Sequence, residues 1–280
     1  MLPGNSNRRR IFLVPLAYLF ATRLQGLPGI VSWLLIYPVP VLLSVLLFGG
    51  AAVNFPGLLA VLLAMLACYG IYELGYMEND AVTVQREQAP TLRLSASEMA
   101  FFEQRYTALV GLRLVFVGVL SLFVVLLVPG NSLGENLFLG GLVAITLAFL
   151  CYNRTRGRIN LPLQLLLVSA RFCLPGVVAI HVDQGSYLLV MLFCFPLANL
   201  LERSGEPRYA LPAMAMFFDH RHTFRVIYYL VVMLGLGALW QAGMVGAAGP
   251  LLAGYFLVYR LGTLLITLAA RTLRKNDGTL

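Results

Sequence analysis

Residues 57–87 read GLLAVLLAMLACYGIYELGYMENDAVTVQRE, and the first part of this stretch decides the fold. From Gly57 to Glu78 every residue is apolar, small or aromatic except Glu73 and Glu78. A bilayer core about 30 Å thick asks a helix for about 20 such residues, so this run reads as a transmembrane helix. It then gives way to a polar cluster, Asn79-Asp80-x-x-Thr83-x-x-x-Glu87.

Working outward, seven more runs of the same kind lie at about 29 to 49, 105 to 128, 133 to 152, 161 to 182, 185 to 203, 224 to 243 and 249 to 271. The apolar stretch from Ile11 to Thr22 is too short to cross and is expected to lie in the interface, unless it re-enters the membrane as a ninth crossing. Over all 280 residues the chain is 60% hydrophobic and 11% charged, with mean hydropathy +0.83. Soluble domains carry about a quarter charged residues, which excludes an ordinary soluble globule. The expected fold class is all-α, a polytopic membrane bundle of 8–9 helices forming a single membrane-embedded domain over residues 1–280.

The basic residues give the orientation, because cytoplasmic loops retain Lys and Arg. Arg8, Arg9 and Arg10 precede the first span; Arg86 and Arg93 follow the second. Arg154, Arg156 and Arg158 follow the fourth, and Arg203, Arg208, Arg221 and Arg225 bracket the loop after the sixth. The intervening loops near Ala51–Pro56, Gly130–Glu135, Asp183–Ser186 and Met244–Gly249 hold neither Lys nor Arg. All basic loops therefore belong to one face, expected to be cytoplasmic in a bacterial-type inner membrane. This bias accounts for most of the net charge of +8, and without a basic face interleaved with aromatics no nucleic-acid partner is expected. Cys68, Cys151, Cys173 and Cys194 lie in or beside apolar spans without a C-x-x-C pair, and read as small core hydrophobes. No small-x-small cleavage pattern follows the first apolar stretch, so no cleavable signal peptide is expected.

A second polar cluster, Asn199-x-x-Glu202-x-x-x-Glu206, ends the sixth span as the first ends the second. Steps of three, four and seven keep each cluster near one helix face. The chain thus reads as two four-helix halves of similar plan, with loops at Asn79–Arg105 and Glu202–Arg225 long enough for surface helices. Asp80, Glu87, Glu202 and Glu206 gather carboxylates on one side in a chain with 12 acidic residues, and hard cations such as Mg²⁺ favour such oxygens while leaving room for phosphate. The competing explanation is that these groups cap helix ends and pair with Arg86, Arg93, Arg203 or Arg208. A third element, Tyr152-Asn153-Arg154-Thr155-Arg156-Gly157-Arg158, offers cations for phosphate, with Asn153 and Asn160 as further donors, or else simply anchors the loop.

At these three elements the chain resembles the UbiA superfamily of intramembrane prenyltransferases. The family's first motif, N-D-x-x-D-x-x-x-D, is met by Asn79, Asp80 and Glu87, with Thr83 replacing an Asp. Its second, D-x-x-x-D, is matched in spacing and charge by Glu202 and Glu206, with Asn199 before them, and Tyr152-x-x-x-Arg156 stands where the family has Y-x-x-x-K. Order, spacing and sidedness agree over about residues 25 to 270. The resemblance implies a Mg²⁺-dependent transferase in which Asp80, Glu87, Glu202 and Glu206 hold the metal and an isoprenoid diphosphate, with Asn79, Thr83, Tyr152, Arg154, Arg156 and Asn199 as substrate contacts. Glu for Asp at three positions, Arg for Lys and the loss at Thr83 leave open the number of ions and the nature of the acceptor.

Ionisable groups within the spans are costly in lipid unless they meet a partner or a wet cavity. Glu73 lies seven residues before Asp80 on the same face, and Arg113, Arg171 and Arg260 sit inside the third, fifth and eighth spans. Glu73 is expected either to pair with one of them or to join the polar face; Arg171 and Arg260 are candidates for binding an anionic headgroup. His220 and His222 read as loop residues, His181 as interfacial. Tyr76, Tyr152 and Tyr209 are candidate cavity aromatics or ordinary packing residues. Three functional readings follow: prenyl transfer from an isoprenoid diphosphate, phosphoribosyl transfer to a polyprenyl phosphate in cell-envelope glycan synthesis, and a non-catalytic membrane carrier or lipid-binding protein.

Overall fold

The computed structural model describes residues 6–24, 26–86, 91–155 and 157–276. Among them helices are the only extended regular structure, and eight helical stretches are long and apolar enough to cross a membrane. These are Gly26–Ala52, Phe55–Gln85, Tyr106–Leu127, Ser132–Arg154, Asn160–Val177, Gln184–Ser204, Arg221–Gln241 and Ala248–Ala270. They coincide with the eight apolar runs, so the chain is an all-helical, multi-pass membrane protein. It divides into two compact units, residues 1–184 and 185–280. Five of the spans end before the division and three follow it, in place of the four and four expected from the sequence.

The first unit is organised around α4 (Phe55–Ala81), preceded by α1 (Ala17–Thr22), α2 (Gly26–Ile36) and α3 (Pro38–Gly49). The Asn54 side chain accepts from the Gly57 N–H at 2.9 Å and caps the start of α4. Downstream lie α5 (Ala96–Gln104), α6 (Tyr106–Leu127), α7 (Ser132–Arg154) and α8 (Asn160–Val177). Two glycines let neighbours close on α4. A Cβ at Gly70 would lie 2.6 Å from Val117 of α6, and one at Gly75 would lie 2.3 Å from the Phe149 ring of α7. Helix α5 is the loop helix the long polar stretch allowed, begun by a reciprocal Ser95–Glu98 capping box.

The first span is not continuous. Tyr37, with φ −121° and ψ −70°, separates α2 from α3. Pro38 disfavours helical backbone in the residue before it and brings no N–H to the Leu34 carbonyl. The same device recurs in the second unit, where Phe195 (φ −143°, ψ −51°) before Pro196 separates α9 (Gln184–Cys194) from α10 (Pro196–Ser204). There the Tyr228 hydroxyl donates to the Phe193 carbonyl at 2.7 Å. The second unit continues with α11 (Ala215–Asp219), α12 (Arg221–Gln241) and α13 (Ala248–Asn276), the last two packed through Tyr229 and Phe256, stacked at 5.1 Å.

The N-terminal stretch forms no span. A 3₁₀ turn over Ser6–Phe12 leads to α1, and both enter the core of the first unit. Phe12 and Tyr18 are fully buried among Met77, Ala81, Leu94, Phe102 and Leu109. The stretch packs one apolar face against α4, α5 and α6 and leaves Leu13, Val14 and Phe20 exposed.

Candidate functional site

Helix α4 carries Tyr69, Tyr72, Glu73, Tyr76 and Asp80 at steps of three, one, three and four, which bring them to one broad face. Two carboxylates on that face hold the N-terminal stretch. Glu73, fully buried, accepts the backbone N–H groups of Leu16 at 2.9 Å and Leu19 at 3.0 Å, donors that α1 leaves without intrahelical partners. Arg113 of α6 completes it, with Nη1 at 2.9 Å from Glu73 and Nη2 donating to the carbonyls of Val14 at 3.0 Å and Phe12 at 3.3 Å. Leu16, at φ +65°, is held in the left-handed region as part of this junction. Of the two roles open to Glu73, pairing is the one the structure has.

One helical turn pair further on, Asp80 is 1% exposed. Its Oδ2 accepts from the Tyr18 hydroxyl at 2.9 Å and from Arg23 Nη2 at 2.8 Å. Its Oδ1 accepts from the same Arg23 nitrogen at 2.9 Å, and from Arg93 and Asn79 at 3.3 Å each. Burial, and then the Asp80 charge beneath it, push the Tyr18 phenol well above the usual range, so it stays a donor.

From Asp80 a run of aromatic rings leads back along α4. Arg23 lies over the Tyr76 ring at 4.6 Å, Tyr76 meets Tyr72 and Phe149, and Tyr72 meets Tyr69. Where the run meets α8, the Arg171 guanidinium lies 5.1 Å from the Tyr72 ring and 5.5 Å from those of Tyr37 and Phe172. Tyr37 reaches it because the helix breaks at that residue. Trp33 of α2 donates to the Tyr69 oxygen at 2.6 Å, and the Tyr72 hydroxyl donates to the Leu167 carbonyl.

The second unit holds its own cluster on α10 and α12. Arg225 grips Glu202 with both ends of its fork, Nε to Oε2 at 2.7 Å and Nη2 to Oε1 at 2.6 Å. Glu206 pairs with Arg208 at 2.7 Å and approaches Arg203 at 3.9 Å. Arg260 is buried, lies 5.0 Å from the Tyr259 ring, and has its Nε without a hydrogen-bond partner.

The remaining sequence candidates fall as follows. Thr83 is buried in the 3₁₀ turn after α4; Asn79 turns its amide onto Asp80. Tyr152 is half-buried and Arg154 exposed at the end of α7, which Asn153 ties to α4 through the Gly75 carbonyl at 3.1 Å. Asn199 is half-buried on α10. Glu87 and Arg156 lie outside the described residues. Tyr18 and Arg23, the strongest partners of Asp80, were not among the candidates. The signal that pointed to Arg23 is its position at the edge of an apolar stretch, where an isolated cation has to find a counter-charge.

Among the described residues the carboxylate oxygens expected to hold Mg²⁺ are turned to arginine and hydroxyl donors. A carboxylate has about four lone-pair positions, and the donors of Tyr18, Arg23, Arg93 and Asn79 already fill those of Asp80. Two guanidinium charges stand where a cation would have to enter. Glu202 is likewise closed by the Arg225 fork, and among the described residues no three His, Cys, Asp or Glu side chains gather as a metal-holding group. Asp80, Glu202 and Glu206, expected from the resemblance as metal ligands, are here ion-pair partners of arginine. No protein-family model matches the chain, and comparison with curated proteins and with solved structures finds no match in either.

Proposed function

We propose that the protein is an intramembrane transferase acting on a phosphorylated isoprenoid, the class the UbiA resemblance implies. The observation that carries this reading is the composition of the α4 face: a carboxylate bracketed by Arg23 and Arg93 at one end, and a run of buried aromatic rings behind it. Arginine forks that hold a carboxylate can exchange it for diphosphate oxygens of the same geometry. In prenyl transfer the carbon–oxygen bond to the diphosphate breaks, the leaving group keeps the electron pair, and the cations beside it neutralise the developing charge. The acceptor then forms the new bond and releases a proton. The apolar wall of rings serves to exclude water from the reacting carbon.

One observation favours the second reading. Arg171 already occupies the aromatic faces, and a guanidinium is a poor neighbour for an allylic cation but a good one for a phosphate. A polyprenyl phosphate acceptor and a phosphoribosyl diphosphate donor would use it better than an uncharged aromatic acceptor would.

The test is thermal stabilisation of the detergent-purified protein by isoprenoid diphosphates and by phosphoribosyl diphosphate, each with and without Mg²⁺, because a ligand bound to the native state raises Tm. The ligand that stabilises identifies the donor, and loss of the shift in Arg23→Met or Arg93→Met locates it at α4. Stabilisation that requires Mg²⁺ and is lost in Glu206→Gln would mean that the arginines yield the carboxylates to a metal. No shift with any donor, together with metal-independent solute uptake in proteoliposomes, would replace the transferase with a carrier.

A further inference from the structure

Arg171 stands apart from the other cations of the first unit. Arg23, Arg93 and Arg113 each have a carboxylate, whereas among the described residues none pairs with Arg171. Its Nε is buried without a hydrogen-bond partner, and so is the hydroxyl of Tyr37, a residue only 2% exposed. The Tyr69 oxygen accepts from Trp33 and from Arg171, and its own hydroxyl is turned to no acceptor among the described residues. Tyr72 differs, because its hydroxyl is spent on the Leu167 carbonyl. The result is a full positive charge, a buried guanidinium N–H and a buried hydroxyl without partners in the apolar part of the unit, with no anion among the described residues beside them.

Such a set is unfavourable by itself. Cation–π contacts offset part of the cost of the charge, but they satisfy no hydrogen bond, and a buried donor without an acceptor carries its own penalty. The Arg171 side chain is only partly buried, so a ligand can reach it although its Nε is sealed. We propose that Arg171, Tyr37 and Tyr69 form an intramembrane site for a phosphate-type oxyanion. The planar fork and the phenolic hydroxyls suit several oxygens on one centre. The anion is either a lipid phosphate entering from the bilayer or free phosphate. The lipid assignment rests on the second functional reading; the site requires no transfer reaction.

The experiment measures Tm of the purified protein with an isoprenyl monophosphate, with the matching isoprenyl alcohol and with inorganic phosphate. A rise with the monophosphate and not with the alcohol is expected. A rise with inorganic phosphate as well identifies the free anion as sufficient, and its absence identifies the lipid. Arg171→Met is expected to abolish the shift while raising the ligand-free Tm, because an uncompensated charge has been removed. Tyr37→Phe, which keeps the ring, is expected to fold normally and to weaken half-saturation by about tenfold, the effect of one charge-assisted hydrogen bond. No shift in the wild type, or an undiminished shift in Arg171→Met, overturns the proposal. Since the readout is binding, a failure to detect prenyl or phosphoribosyl transfer leaves it standing.

Discussion

The two polar clusters that look alike in the sequence are built differently. Asp80 and Glu73 are sealed inside the first unit, and each is shared among donors from different elements: α1, α4 and the α4–α5 loop at Asp80, α1 and α6 at Glu73. Glu202 and Glu206 keep 17% and 24% of their side chains exposed, and their ion pairs join them to one or two arginines nearby. Helical spacing of carboxylates thus sets which face they share, whereas burial decides whether they organise the fold or decorate its surface.

The comparison can be broken by substitution. The largest effect is expected at Arg113→Met, which leaves a buried carboxylate without its counter-charge and should cost about 3–5 kcal/mol in denaturant-monitored stability. Asp80→Asn comes next, at about 2–3 kcal/mol, because Arg23 and Arg93 lose their shared anion but reach solvent in part. Glu202→Gln should cost about 1 kcal/mol, since it breaks a bidentate contact at a partly exposed position. Glu206→Gln should fall within about 0.5 kcal/mol, its partner Arg208 being 51% exposed. A stability loss at Glu206 as large as that at Asp80 would show the clusters to be equivalent after all. A ligand shift lost in Glu206→Gln at unchanged stability would sharpen the contrast, marking the outer cluster as the one free to serve binding.

The spans were readable because about 20 consecutive apolar residues have one stable environment. The number of helices in each unit was not, since helix partners depend on close approaches such as Gly75 on Phe149 that carry no periodic signal. Within the candidate site, the need of Glu73 for an arginine was legible from the expense of an intramembrane charge. The identity of that arginine and the two backbone donors at Leu16 and Leu19 were not, being set by contacts between residues up to 57 positions apart. The motif at Asn79–Glu87 marked the helix face that carries Asp80 but not the arginines that meet it, because spacing cannot show which cations fold back onto a carboxylate. Pro38 and Pro196 were visible, but that a break at Tyr37 would bring a phenol to Arg171 followed only from the packing of α3 on α8.

The Glu73–Arg113 pair also constrains the order in which the membrane part can be made. Arg113 lies inside its span, so the segment Tyr106–Leu127 carries a charge that lipid alone does not accept, and the segment before it carries its complement. Insertion of these two segments is therefore a joint event, in which each masks the other. The N-terminal stretch that precedes them docks fully only once both are in place, because the Phe12 carbonyl and the amides of Leu16 and Leu19 find their partners on those later helices.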